Sequence, residues 1–378
     1  MINRSNKCVE CHACVQACPQ SCISFSPRGE IEIDYNTCVH CNLCESVCQI
    51  TGSVSFYSTN KVYAAVCKDE KEERMSSSGG MAYLLYQKVL EEDGVVFGVA
   101  YSSSFVPVFE SAEKEENVFG FLKSKYSFSY VGNAFKQCQD YCEMGIKVLF
   151  VGLPCQIAGL KLFLKKEYDN LVIVDILCHG APHYSIFQNH IKYLEKKRNK
   201  EVVDYQFRDK KNSEYGPYSY YIKYSDEKSE SGSALWDAYY NAFFKANIFR
   251  DVCYTCHYAR RERVSDITIG DFWRAGETVA ALKDRRYISS IIVSSDKGAI
   301  LLEKCKSNIL LFESTYEDLS KSTHAVVSPS MREREVDIKK LQSFKEYCKW
   351  ASKYENGILV RIRKLRKKMS RAFRNGLS

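Results

Sequence analysis

The sequence lacks any uninterrupted apolar run approaching 18 residues, the least that reads as a transmembrane helix, so no membrane span is expected. It lacks the pattern of a signal peptide: residues 1–7, MINRSNK, are polar and no apolar segment follows. It also lacks a charge excess outside one short segment. Residues 353–378 hold nine Lys/Arg against Glu355 alone, and the remaining 45 basic and 45 acidic residues cancel, so the net charge of +8 is that of the tail. A neutral body argues against a nucleic-acid partner, and one basic segment argues for a local contact instead. The 378 residues suffice for two or three domains around a sizeable core.

Cysteine is what the chain has in quantity, 18 in all. In a small secreted protein that count means disulfides. In a long Lys/Glu-rich chain without a leader the expected compartment is the reducing cytoplasm, where clustered thiols read as metal ligands. CVECHACVQACP places Cys8, Cys11, Cys14 and Cys18 at the spacing C-x2-C-x2-C-x3-C, and CVHCNLCESVC repeats it with Cys38, Cys41, Cys44 and Cys48. Thiolates suit zinc and iron–sulfur clusters alike. The doubled run, however, is the spacing of bacterial two-cluster ferredoxins, in which the fourth cysteine of each run serves the other cluster. The expected ligand sets are Cys8, Cys11, Cys14 and Cys48 for one 4Fe-4S cluster, and Cys38, Cys41, Cys44 and Cys18 for the second. A double zinc knuckle is the alternative. The repeat departs from itself in one place: Pro19 follows Cys18, whereas Gln49 follows Cys48. Cys22, a ninth cysteine nearby, reads as a small buried residue.

After Tyr57 the composition changes. VYAAV (62–66) reads as a strand, KDEKEER (68–74) as exposed, and SSSGGMAYLLYQKVLEEDG (76–94) as a Ser/Gly loop feeding an amphipathic helix. Backbone N–H groups at a Gly-rich helix start suit an anion, although an ordinary serine cap has the same signature. VVFGVAY (95–101) reads as a further strand. KVLFVGLPCQIAGLKLFLKKEYDNLVIVDILCHGAP (147–182) reads strand, helix, strand, which implies a parallel sheet with a crossover helix. Both strands run into a cysteine, Cys155 and Cys178, at the strand ends where α/β sites gather. Cys253 and Cys256 form a CxxC pair in CYTC. These four thiols suffice for one more cluster, or are buried structural cysteines.

GLPCQIAGLK, DILCHGAP, FRDKK (207–211), CYTC and SDITIGDFW, with SSSGG and the SKY of FLKSKY (121–126), together resemble the family of coenzyme F420 hydrogenase/dehydrogenase beta subunits from about Val62 to Ser314. The resemblance implies an FAD-binding α/β core and a third 4Fe-4S cluster on Cys155, Cys178, Cys253 and Cys256. It places the flavin near Ser78, Gly79, Gly80, Lys125 and Asp271. Where family members commonly read GDFWG, Trp273 is followed here by Arg274, Ala275 and Gly276.

The expected fold is an α/β core with a mixed or parallel sheet, a small N-terminal α+β ferredoxin-like domain and a C-terminal basic helix. The expected boundaries are 1–60, 61–345 and 346–378. The expected function is an iron–sulfur flavoprotein oxidoreductase carrying three 4Fe-4S clusters and FAD. It exchanges electrons with a redox partner protein or small carrier, and the resemblance points to a substrate of polysaccharide assembly. A non-catalytic electron-transfer subunit and a structural iron–sulfur protein without flavin are the alternatives. In the tail, Ile358, Ile362, Leu365, Met369 and Phe373 share a helical stripe with Lys/Arg on most of the remaining surface, a pattern suited to an anionic membrane surface or an acidic partner at the inner face, and equally to a helix packed on the protein's own body or a disordered solubilising end.

Overall fold

The computed structural model describes residues 7–26, 29–58, 61–211, 213–323, 336–357, 360 and 362. The N-terminal segment holds two short helices, Ala13–Ala17 and Leu43–Ser46, and one antiparallel pair, β1 (Ile23–Phe25) and β2 (Ile31–Ile33). The main body follows with β3 (Lys61–Cys67), β4 (Val95–Tyr101), β5 (Pro107–Ala112), β6 (Val148–Gly152) and β7 (Leu171–Ile176). A side sheet is then made by β8 (Val202–Phe207), β9 (Ser219–Tyr224) and β10 (Ser229–Ser233). The chain returns to the main sheet with β11 (Ile267–Asp271), β12 (Ser289–Val293) and β13 (Ile309–Ser314).

The main sheet has the order β13-β3-β12-β11-β7-β6-β4-β5. Its middle, β11-β7-β6-β4, is parallel, and both flanks are antiparallel. VLFVG and LVIVDI are nearly continuous apolar runs because both faces of a parallel block are covered. Their side chains alternate between two cores. Val148, Phe150, Leu171 and Ile173 face one layer, which includes Cys11, Cys14 and Val47 of the N-terminal segment. Leu149, Val151, Val172 and Val174 face the other, under the helices Met81–Leu90 and Asp296–Cys305. The N-terminal segment is thus part of one layer of the fold rather than a bead on a linker. Gln16 Oε1 strengthens the seam by accepting from the N–H groups of Phe135 and Lys136, at 3.0 and 3.1 Å.

The expected strands at 62–66, 95–101 and 147–151 and the crossover helix, Pro154–Leu164, are all present. The boundary expected at 346 needs correction. The helix Phe344–Glu355 runs across it, and Tyr347 and Ala351 are fully buried in the core of the side sheet. Tyr347 donates to His190 Nδ1 at 2.9 Å, and His190 Nε2 stands 2.8 Å from Asp237, so this helix closes a buried polar chain. Most of the expected amphipathic stripe, including Ile358, Leu365, Met369 and Phe373, lies outside the described residues. No helix among the described residues is long and apolar enough to cross a membrane.

Candidate functional site

The two cysteine runs fold alike at the backbone. Glu10 and His12 have φ of 57° and 61°, and His40 and Asn42, thirty positions on, have 54° and 59°. Left-handed non-glycine residues on both sides of Cys11 and of Cys41 curl each run. The N–H groups of Glu10 and Ala13 accordingly favour the thiolates of Cys8 and Cys11. Cys8, Cys11, Cys14 and Cys48 lie close enough to bias one another's ionisation. Cys18, Cys38, Cys41 and Cys44 ring a second cavity. Cys22 belongs to the second group in space, with its Sγ 3.4 Å from that of Cys18, which the sequence reading did not foresee.

Cys155, Cys178 and the Cys253/Cys256 pair come from three places in the chain and line one cavity of ≈ 660 Å³. Cys155 sits in the first turn of the helix Pro154–Leu164, where Gln156 Oε1 caps the N–H of Leu153 at 3.1 Å. Cys178 follows β7, and its sulfur is favoured as thiolate by the N–H of Gly180; Cys256 is favoured by the N–H groups of Tyr258 and Ala259. Burial pushes the Cys8 thiol up to about 11 and Cys178 to about 12. Without a cation these thiols stay protonated, so loading a cluster releases protons. Four thiols spread around a cavity suit the corners of a cubane better than one tetrahedral ion with Zn–S bonds of about 2.3 Å.

Three residues outside the cysteine motifs join these sites. Arg250 reaches back to the N-terminal segment, donating to Val9 O at 2.8 Å and pairing with Glu10 at 3.2 Å. Its guanidinium lies 3.4 Å from the centre of the Phe128 ring and near enough to Cys155 and Cys253 to be felt by them. Gln49 and Tyr258 lie between the first and third thiol sets. None carries a motif signal; the one trace of Gln49 is the broken repeat, where proline is replaced.

A further cavity of ≈ 290 Å³ adjoins the third thiol set, with Leu153 lining both. It opens at the C-terminal ends of β6, β7 and β11 and is bordered by Ser78, Gly80, Lys125, Arg208 and Asp271. The helix Met81–Leu90 starts at its edge behind Gly80, whose φ of 95° favours glycine. Arg208 is buried, forks onto Asp271 at 2.7 and 3.1 Å, and lies against the Trp273 ring at 4.7 Å. Lys125 Nζ donates to the carbonyls of Gly120 and Leu122, both at 2.7 Å, and burial draws it down to about 7. Gly79 does not fit the expectation. Its N–H donates to Ser289 Oγ and a Cβ there would meet Ala65 O at 2.5 Å, so it packs against the sheet and is not among the residues lining the cavity. Among the described residues buried Arg208 Nε has no partner, which fits a polar ligand. The volume is at the lower edge of the ~300–1,000 Å³ usual for small-molecule sites. It has room for a ring system or a phosphate-bearing end rather than a whole dinucleotide.

Residues 145–318 match the family described as the C-terminal part of the coenzyme F420 hydrogenase/dehydrogenase beta subunit, and residues 7–51 match a 4Fe-4S dicluster domain. Coenzyme F420-dependent sulfite reductase of Methanocaldococcus jannaschii is 31% identical over 189 residues, 47% of this chain and 28% of that protein. One subunit of the F(420)H(2) dehydrogenase of Methanosarcina mazei is 20% identical over 221 residues, 53% of this chain and 61% of that protein. The chain therefore spans less than two thirds of either relative. Among solved structures, a chain of the F420-reducing NiFe hydrogenase complex from Methanosarcina barkeri superposes with a TM-score of 0.46 at 14% identity, covering 79% of this chain and 90% of that one.

Proposed function

We propose that this chain, whose residues 145–318 match the family of coenzyme F420 hydrogenase/dehydrogenase beta subunits and follow a match to a 4Fe-4S dicluster domain, is an iron–sulfur oxidoreductase component that carries electrons between a partner protein and a flavin beside the third thiol set. The observation that carries this reading is the order of the sites in space. The second thiol set lies next to the first through Cys44 and Cys14. The first is joined to the third by Gln49 and Tyr258. The third shares Leu153 with the cavity at the strand ends.

The twelve cysteines named above are the ligands in this reading. A 4Fe-4S cluster, when bound, supplies one-electron transfer. A flavin, when bound, collects two electrons and exchanges hydride, the two-electron chemistry that clusters do not perform. The chain's own contribution is positional. Arg250 and Glu10 hold the dicluster segment against the third set. Arg208 offers the N–H of Nε to a ligand in the small cavity, and Lys125 offers a charge that an anion would draw out. The substrate class we assign is a deazaflavin hydride carrier, the kind of cofactor named for the relatives.

The partner meets the chain at the second thiol set. Cys41 is exposed there, as are Tyr35, Val39 and Leu43 around it. Residues 29–60 carry Glu30, Glu32, Asp34 and Glu45 and no Lys or Arg, so the matching surface is a basic one with an apolar centre. Anaerobic purification, with iron, sulfide and flavin quantified together, tests the reading. Three clusters require about twelve irons and about one flavin per chain. Roughly eight irons and no flavin would reduce the protein to a two-cluster carrier.

A further inference from the structure

In the first cysteine run the fourth ligand is followed by proline; in the second the same place holds Gln49, and its side chain is fully used. Nε2 donates to the backbone carbonyl of Cys155 at 2.9 Å. The amide is also a hydrogen-bond partner of the Cys11 sulfur, and both Cys11 Sγ and Gln49 Nε2 lie within 3.4 Å of the point a Cβ at Gly159 would take. Oε1 accepts from the hydroxyl of Tyr258. A carboxamide has two N–H donors on one side and an acceptor on the other, and these three partners match that inventory. Turned over, the amide would set Oε1 against the Cys155 carbonyl, so its orientation is fixed by its neighbours.

Tyr258 stands between the two thiol sets, near Cys11 and Cys48 on one side and Cys155 and Cys256 on the other. Its hydroxyl donates to Gln49 Oε1. Its backbone is anchored as well. Arg263 Nη1 donates to Tyr258 O at 3.4 Å, and Nη2 of the same guanidinium forks onto buried Asp175 at 3.1 Å, within β7. Gly159 completes the fit, since a Cβ there would lie 2.8 Å from Cys11 Sγ and 3.4 Å from Gln49 Nε2.

We propose that Gln49 is a positioning residue that sets the reduction potential of the first cluster relative to the third and, through Tyr258, fixes the contact by which the two exchange electrons. An N–H donated to a ligand sulfur stabilises the more negative, reduced cluster and raises its potential. Among the described residues, Cys11 is where Gln49 reaches a ligand sulfur. At the third site it holds the carbonyl of a ligand residue, which fixes position and leaves the sulfurs untouched. Gln49 therefore raises the first cluster's potential above what it would be without that amide and leaves the third cluster's potential unchanged. The inference rests on cluster assignment at both thiol sets, which iron content reads independently of potential.

The test is an anaerobic redox titration of the full, cluster-loaded chain followed by electron paramagnetic resonance, with Gln49→Leu and Tyr258→Phe. Both variants should keep the iron content of the unaltered chain. In Gln49→Leu the electron distribution between the first and third clusters should move about tenfold towards the third, equivalent to about 59 mV for one electron. The magnetic interaction between those two reduced clusters should weaken. Tyr258→Phe should shift both readouts in the same direction by less, because it loosens the amide without removing it. If Gln49→Leu fails to hold iron, Tyr258→Phe decides alone. Unchanged potentials and unchanged interaction in iron-replete variants would overturn the role of Gln49. An equal shift in all three clusters would also overturn it, since that marks general solvent entry. Iron missing from the third thiol set of the unaltered chain would overturn the cluster assignment and this role together.

Discussion

The two cysteine runs have one spacing and one backbone curl, yet they meet different surroundings. The first set is inside: Cys11 and Cys14 are buried in a core with Phe135, Ile157 and Leu160. The second is at the surface: Cys41 is exposed, Val39 is 58% exposed, and the rim is acidic. Ligand geometry is therefore a local property, written in eleven residues, while the role of each site comes from what packs against it. The inner set is a junction with the main body, and in the proposed route the outer set is the entrance.

The largest contrast should come from one change made in both runs. Cys14→Ser should cost the fold as well as a cluster, because it leaves a core site without the metal that holds it together. Cys41→Ser should remove about four irons and leave the chain folded. Iron analysis with calorimetric melting compares the two, and equal thermal losses would erase the distinction between inner and outer sites. Cys253→Ser extends the comparison to the third set, with loss of about four irons and an intact N-terminal pair by magnetic resonance.

Gly159→Ala probes the seam at finer scale. The new methyl would press on Cys11 Sγ, at a cost of about 1–3 kcal/mol, and should impair loading of the first cluster before the second. A chain as stable and as iron-replete as the parent would show that the seam is loose. In the small cavity the expected effect is a proton count. Lys125, held at about 7 by burial, is mostly neutral at pH 8, and a phosphate-bearing ligand beside it would raise it again. Binding should then take up close to one proton at pH 8 and almost none at pH 6, where the amine is already charged. Calorimetry in two buffers of different ionisation enthalpy reads this directly. The smallest effect belongs to the rim of the outer set. Glu32→Lys should slow association with a basic redox partner a few-fold at low ionic strength and leave the rate unchanged at high salt. Stopped-flow mixing at two salt concentrations gives the comparison.

What was legible in the sequence was local. The eight N-terminal cysteines and the strand–helix–strand unit at 147–176 declare themselves through short-range spacing and unbroken apolar runs. Gln49, Tyr258, Arg250 and Arg208 do not, because their partners lie far along the chain: Gln49 bonds Cys155 and Tyr258, and Arg208 bonds Asp271. Gly79 was open to misreading for a related reason. Glycine at a helix start serves an anion cradle and close packing against a strand equally well, and only the position of Ala65 O separates the two. The boundary at 346 went wrong because Tyr347 and Ala351 are buried under a side sheet formed from residues more than a hundred positions earlier.

The central claim is a continuous route from the outer thiol set to a flavin at the strand ends, passing through the third set. It is tested most directly by adding a reduced ferredoxin-type protein donor to the flavin-loaded chain and to Cys155→Ser under anaerobic conditions, while following cluster and flavin absorbance together. The account predicts that the N-terminal clusters are reduced in both, and that the flavin is reduced in the unaltered chain and stays oxidised in Cys155→Ser. Flavin reduction at the same rate in both proteins would contradict it.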